Sequence, residues 1–276
     1  MRAWRRLLRQ GRSRAHALAV PQSIPAGHLV FVCNICGAST SADLARVVDR
    51  EVPTCSECKS SIRFRSLVAA LQERLFDDVT PLKNLPGRKE LEGLGLSDDP
   101  VYSRFLEEKF NYINTFYDGE PCLDITDPSP HYLHRFDFVI SSDVMEHVAP
   151  PVEVAFRNLH SLLRPSGLVV LTVPFGLQRD TIEHFPGLHK FQILGRGKDR
   201  YLVNITRDGE RQEFHNLVFH GGRGAPLEMR LFSEAALLKQ LQKSGFRDIK
   251  IHAGFLPQWG IVNRWRFSLP ITAIAG

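Results

Sequence analysis

Four of the five cysteines stand in two C-x2-C pairs, Cys33-Asn34-Ile35-Cys36 and Cys55-Ser56-Glu57-Cys58, with 18 residues between the pairs. Two intervening residues let one tight turn aim both thiolates at a single ion. Two such knuckles complete a closed tetrahedral S4 site. Pair and spacing match the zinc-ribbon pattern, so Cys33, Cys36, Cys55 and Cys58 are expected to hold a structural Zn2+. Gly37 follows the first pair, where a knuckle needs a residue tolerant of positive φ. Disulfides and four unrelated buried thiols are the other readings. The absence of an apolar signal core near the start disfavours the first of these. Cys122 stands alone and is expected to be a small buried residue rather than a nucleophile.

A second concentration of chemistry runs from Arg135 to Phe175. Phe136–Ser141 (FDFVIS) reads as a buried strand, and Ser141, Ser142 and Asp143 follow it. Open parallel sheets bind ligands beyond the carboxyl ends of their strands, so these three residues are expected at a crevice. Met145-Glu146-His147-Val148 comes next, then a helix over Val152–Leu163, the turn Leu163-Arg164-Pro165-Ser166-Gly167 and the apolar strand Leu168–Val173. His147 has the chemistry of a general base and sits at the mouth of that crevice, although a Glu-His pair opening a helix can also simply cap or orient a loop.

This ordered series resembles the second half of class I S-adenosylmethionine-dependent methyltransferases, in the group that methylates small molecules. The resemblance implies a Rossmann-like α/β fold, a sheet with helices on both faces, here preceded by the small zinc ribbon. It also implies an acidic residue and a glycine-rich turn after the first strand. Glu92-Gly93-Leu94-Gly95-Leu96-Ser97 supplies these with the third glycine missing. Glu92, Gly93, Gly95 and Ser142 are therefore expected at S-adenosyl-L-methionine, with Asp118 on the ribose hydroxyls and Asp124 on the adenine edge. Glu183, His184 and His220 fall where such enzymes place substrate caps and are expected at the acceptor. No N-P-P-Y or D-P-P-Y tetrapeptide follows the Phe136–Ser141 strand, and no cysteine stands there, so base-amine and cysteine-based base-carbon methylation are unsupported.

The elements that must position these residues are legible as periods. Ser61–Phe76 carries apolar side chains at helical spacing and bridges the ribbon to the main unit. From Lys89 onward strands alternate with helices, the pattern of a parallel sheet covered on both faces. Lys89–Leu94, Tyr112–Tyr117, Cys122–Ile125 and Phe246–His252 are further expected strands, and Pro100–Phe110 and Ser233–Gly245 expected helices. Residues 176–230 break the rhythm, with strand-like pieces at Tyr201–Thr206 and Phe214–Phe219. Ile261–Ala275 is apolar enough for a last strand, antiparallel to the rest. The units are thus a basic arm (1–28), the ribbon (29–60), a linking helix and linker (61–87) and a methyltransferase domain (88–276) with an insertion at 176–230.

Charge narrows the partners. The formal net charge is +5, yet Arg2, Arg5, Arg6, Arg9, Arg12 and Arg14 precede the first acidic residue, Asp43, and the rest of the chain sums to −1. A near-neutral body weighs against nucleic acid as a partner. Trp4, Leu7 and Leu8 lie at helical spacing among the arginines, which suits weak contact with an anionic membrane surface, a presequence or a solvated tail alike. No run approaches the roughly 18 apolar residues of a spanning helix, and a cytoplasmic, membrane-peripheral location is expected. The leading expectation is methyl transfer to a small-molecule or carbohydrate-type oxygen or nitrogen. The alternatives are an RNA methyltransferase gripping RNA through its ribbon, and a non-catalytic methyltransferase-like binding module.

Overall fold

A computed structural model describes residues 27–219 and 226–276. The basic arm up to residue 26 and His220 lie outside the described residues.

The cysteine unit comes first. Strands β1 (His28–Val32) and β2 (Ser39–Asp43) form an antiparallel hairpin whose turn is the first knuckle. A short helical turn, α1 (Leu44–Val47), is capped by Asp43, whose Oδ1 accepts from the Ala45 amide at 2.7 Å. The second knuckle leads directly into helix α2 (Ile62–Phe76). This helix matches the amphipathic pattern of its sequence, but its role is larger than that of a linker. Leu67, Val68 and Leu71 pack in one core with Cys33, Cys55 and Cys58 on one side and Phe138, Ile140 and Val170 on the other. Ribbon and sheet therefore share a hydrophobic core.

The sheet is built from β3 (Arg88–Leu96), β4 (Phe110–Thr115), β5 (Phe136–Ser142), β6 (Leu163–Thr172), β13 (Phe246–Ile251) and β16 (Ile271–Ala275). Their spatial order is β13-β16-β6-β5-β3-β4. Strands β4, β3, β5 and β6 run parallel, whereas β16 runs antiparallel to both β6 and β13. Successive side chains serve opposite faces, as the pleat requires. Phe138, Ile140, Leu168 and Val170 face α2 and helix α3 (Pro100–Lys109). Val139, Val169 and Leu171 face helices α4 (Glu153–Leu162) and α5 (Glu234–Lys243). From β3 the chain first builds β4 on one side and then returns to β5 on the other. The carboxyl ends of β3 and β5 thus flank the switch point at which open sheets bind ligands.

Three expected strands differ. Cys122–Ile125 is reduced to one bridge, Phe116 with Cys122. Pro121 offers no amide to a ladder, and Asp124 folds its carboxylate back onto the Thr126 amide and hydroxyl at 2.8 and 2.7 Å, which turns the chain away. Cys122 itself is exposed, not buried. Phe214–Phe219 is replaced by a strand over Arg211–Phe214, because the Asp208-Gly209 turn closes the hairpin earlier. Of Ile261–Ala275, only Ile271–Ala275 joins the sheet, and β15 (Ile261–Val262) pairs instead with β14 (Phe255–Leu256) in a two-stranded ladder.

Residues 176–219 and 226–230 form a separate roof. Strands β9 (Lys190–Leu194), β10 (Tyr201–Ile205) and β11 (Arg211–Phe214) make an antiparallel sheet of their own. Strand β12 (Arg230–Ser233) pairs with β7 (Phe175–Gly176) and β8 (Ile182–Glu183), tying this roof to the carboxyl end of β6. No helix of the described residues is long and apolar enough to cross a membrane.

Candidate functional site

The two knuckles bring the four sulfurs together. All lie within 4.8 Å of one another, with Cys33 Sγ 3.7 Å from Cys58 Sγ and Cys36 Sγ 3.6 Å from Cys55 Sγ. A metal about 2.3 Å from each of four sulfurs demands a tetrahedron with edges of about 3.8 Å. The geometry fits zinc. The turns that achieve it are equivalent: Gly37 takes a φ of 79°, and Lys59 takes 62° after the second pair.

Arg65 gives an independent sign. Its side chain is fully buried beside the sulfurs, and it donates to Ser60 O at 2.8 Å, Thr54 Oγ1 at 2.9 Å and Gly260 O at 3.1 Å. None of these acceptors carries a charge. A buried guanidinium needs a counter-charge, and a metal held by four thiolates would supply one.

The crevice lies beyond β3 and β5. Strand β3 continues through Leu96, so Gly93 and Gly95 lie within the strand and not in a turn. A Cβ on Gly93 would enter the Phe138 ring, and one on Gly95 would strike the Tyr112 hydroxyl. Both glycines are required by aromatic packing on the α2 face. The left-handed turn comes at Ser97, with φ of 60°, the position of the missing third glycine. A side chain there is strained by about 1–2 kcal/mol, partly offset because glycine loses more entropy on folding. Ser97→Gly should therefore stabilise the protein by up to about 1 kcal/mol in a thermal melt; a clear loss of stability would show that the hydroxyl is needed.

Glu92 lies farther back. Its carboxylate pairs with Arg135 Nε at 2.7 Å and Arg164 Nη2 at 3.2 Å, and Arg164 also holds Asp137 at 2.9 Å. Arg135 precedes β5 and Arg164 lies early in β6, so this network sits at the opposite end of the sheet from the crevice. Asp118 is exposed beyond the carboxyl end of β4. Asp124 is occupied by its own turn. Ser142 closes β5, and its Oγ accepts from Arg63 Nη1 at 3.1 Å.

Asp98 fills the space beside Gly95. It is buried, accepts from the Tyr102 hydroxyl at 2.7 Å and from the Tyr112 hydroxyl, and burial pushes it up to about 7 against those hydrogen bonds. The folded protein thus binds this proton more tightly than the unfolded chain does. Its contribution to stability is present in acid and declines as the pH rises from about 4 to about 7. Asp98→Asn removes the decline, so the variant should gain on the parent by on the order of 1.4 kcal/mol per pH unit across that window in urea titrations. Parallel curves for the two proteins would show Asp98 to be ionised when folded.

Beyond β5, Asp143 is held by Arg50 Nη2 at 2.8 Å, Arg63 Nη1 at 3.3 Å and Thr172 Oγ1 at 2.8 Å. Burial would raise its pKa, but the two guanidiniums more than offset this and keep it well below the usual carboxylate range. The turn 145–147 follows. His147 Nδ1 lies 3.0 Å from the Leu227 carbonyl, and Nε2 lies 3.8 Å from Glu146 Oε1. Glu146 is completely buried, neither oxygen makes a hydrogen bond, and burial together with the Asp143 charge pushes it well up. Sequence reasoning did not single out Arg50, Arg63, Asp98 or Glu146 as site residues. Only Glu146 stood within a marked motif.

The roof contributes His184, whose Nε2 is 2.7 Å from buried Glu228 Oε1. Both line a cavity of about 200 Å3 with Phe185, Phe214, His215 and Asn216. Glu183 is engaged elsewhere: it pairs with Arg230 at 2.7 Å, and the buried Arg230 donates to Met145 O at 3.0 Å and Val148 O at 2.6 Å. The pair clamps the His147 turn instead of facing the cavity.

The chain is similar in fold to several solved methyltransferases. A 1,6-didemethyltoxoflavin-N1-methyltransferase from Burkholderia thailandensis, solved with S-adenosylhomocysteine, is 14% identical over 76% of this chain and 78% of its own, with a TM-score of 0.40. An S-adenosylmethionine-dependent methyltransferase from Mesorhizobium loti is 14% identical over 79% and 99%, at 0.44. An amino pentose methyltransferase from Micromonospora echinaspora is 11% identical over 79% and 92%, at 0.44. No curated protein matches the sequence. The family model described as a methyltransferase domain matches residues 30–251. That match takes in the cysteine unit, the crevice and the roof together, and the chain therefore belongs to the methyltransferase-domain family.

Proposed function

We propose that the protein transfers the methyl group of S-adenosylmethionine to an oxygen or nitrogen of a small, carbohydrate-type acceptor, with a structural zinc in the Cys33/Cys36/Cys55/Cys58 site. The observation that carries the acceptor class is the cavity within the roof, which also takes in Val218 and is lined by roof residues. It combines aromatic faces (Phe185, Phe214) with hydrogen-bonding side chains (His184, His215, Asn216, Glu228), a lining suited to a polyhydroxylated ring. An apolar slot would have favoured a lipid or an aromatic acceptor.

The side chains at the carboxyl ends fit the cofactor. Asp118 would accept from ribose hydroxyls, and the polar groups beyond β5, Ser142 and Arg63 among them, would meet the amino-acid end. Bound there, S-adenosylmethionine supplies a methyl group activated by a sulfonium. Displacement needs an acceptor atom in line and stripped of its proton, so orientation and a base are the protein's contributions. His147 is assigned as that base. Its Nδ1–H donates to the Leu227 carbonyl, which leaves the lone pair of the neutral ring on Nε2. The Glu183–Arg230 clamp fixes the turn that carries it.

Calorimetry with S-adenosylhomocysteine should show binding, and labelled S-adenosylmethionine should transfer label to members of a panel of sugars and sugar nucleotides. Absence of cofactor binding at millimolar concentration would leave only a binding module. Label transferred to RNA and to no small acceptor would reverse the substrate class.

A further inference from the structure

We infer that the cysteine unit is part of the cofactor site, with Arg50 and Arg63 receiving the amino-acid carboxylate of S-adenosylmethionine. The inference rests on the S-adenosylmethionine reading above. Arg50 lies between α1 and the second knuckle, and Arg63 is the second residue of α2, five residues past Cys58. Both side chains leave the cysteine unit and meet at the carboxyl end of β5, each only 18% exposed. They converge on Asp143, and Arg63 also reaches Ser142. Arg50 Nε is steadied by Ser268 O at 3.4 Å.

The local charge is unbalanced. Two largely buried guanidiniums face one part-buried carboxylate that stays ionised, Asp143, while the neighbouring Glu146 is driven toward its neutral form by burial. The remaining partner, Glu51, sits on the outside with 56% of its side chain exposed, and its attraction is screened by water. An excess of positive charge in a half-buried crevice favours an anion. The guanidinium fork matches a carboxylate in shape as well as charge. Of the two, Arg63 stands nearer the switch point, because its guanidinium reaches Ser142 at the end of β5.

The test compares two ligands that differ in the amino-acid moiety. S-adenosylhomocysteine carries the carboxylate, and 5′-deoxy-5′-methylthioadenosine lacks it. Calorimetry on the metal-loaded protein should show Arg63→Met weakening S-adenosylhomocysteine by about 10- to 100-fold, the scale of a lost charge-assisted contact. Methylthioadenosine should change by less than about threefold, which also confirms that the variant is folded. Arg63→Lys, which keeps the charge and loses the fork, should fall between parent and Arg63→Met, and Arg50→Met should weaken the same ligand. An unchanged affinity for S-adenosylhomocysteine, or an equal loss for both ligands, overturns the inference while leaving the methyltransferase reading intact. If the parent protein binds neither ligand, it is the reading beneath that fails.

Discussion

Arg65→Met should lower the stability of the zinc-loaded protein by about 3–5 kcal/mol, the cost of removing one partner from a buried charge pair. The guanidinium is fully buried, and every acceptor it meets is neutral. Four thiolates on Zn2+ leave a formal charge of −2, and without Arg65 that charge would sit in the shared core of ribbon and sheet uncompensated. Part of the loss is independent of metal, because the Ser60 and Gly260 carbonyls lose their donor. Urea titrations of parent and variant, each with and without a chelator, separate the two contributions. The substitution should cost markedly less in the metal-free protein, where the sulfurs can be neutral thiols. Equal losses with and without metal would mean that Arg65 compensates no tetrathiolate. A metal assay on the parent should find one zinc per chain.

The second large effect concerns rate. His147→Gln should lower kcat by about 10²- to 10⁴-fold, the range of a positioned general base, with S-adenosylhomocysteine affinity unchanged. Glutamine can still donate to the Leu227 carbonyl and so preserves the turn. A variant that retains the rate would move the base to another group. Glu146 is then the next to test, as a buried carboxyl beside the same turn whose oxygens make no hydrogen bond.

These two residues differ in how visible they are in the amino-acid chain. The cysteine site is legible because its information is local: two short knuckles set four sulfurs, and residue type and spacing suffice. The parallel strands are legible for a similar reason, since Phe138–Ile140 and Leu168–Leu171 are buried on both faces and read as continuous apolar runs. His147 was legible through a local motif. The strand expected at Cys122–Ile125 was not, because its short apolar pattern yields to Pro121 and to the Asx turn at Asp124.

The glycine segment shows the limit most clearly. Glu92-Gly93-Leu94-Gly95 carries the composition of a cofactor turn, but Gly93 and Gly95 make room for Phe138 and Tyr112 inside the sheet. Whether a glycine lacks its side chain for a ligand or for a neighbouring ring depends on partners 45 and 17 residues away. Glu92 is ambiguous in the same way: an acidic residue near a strand end reads alike whether it serves the crevice or pairs with Arg135 and Arg164 at the opposite end.

By itself, then, the sequence determined the donor set for a metal, the alternation of strands and helices, and the motif that carries His147. Each of these rests on contacts between residues close in the chain or on a periodicity repeated along it. Only the tertiary structure decided which charges meet. Arg50 and Arg63 reach Asp143 across 93 and 80 residues, and Arg65 lies buried among groups drawn from both ends of the described chain. No local pattern encodes such meetings, because they follow from how α2 seats against the sheet, and it is the burial of their shared core that holds the cysteine unit over the crevice.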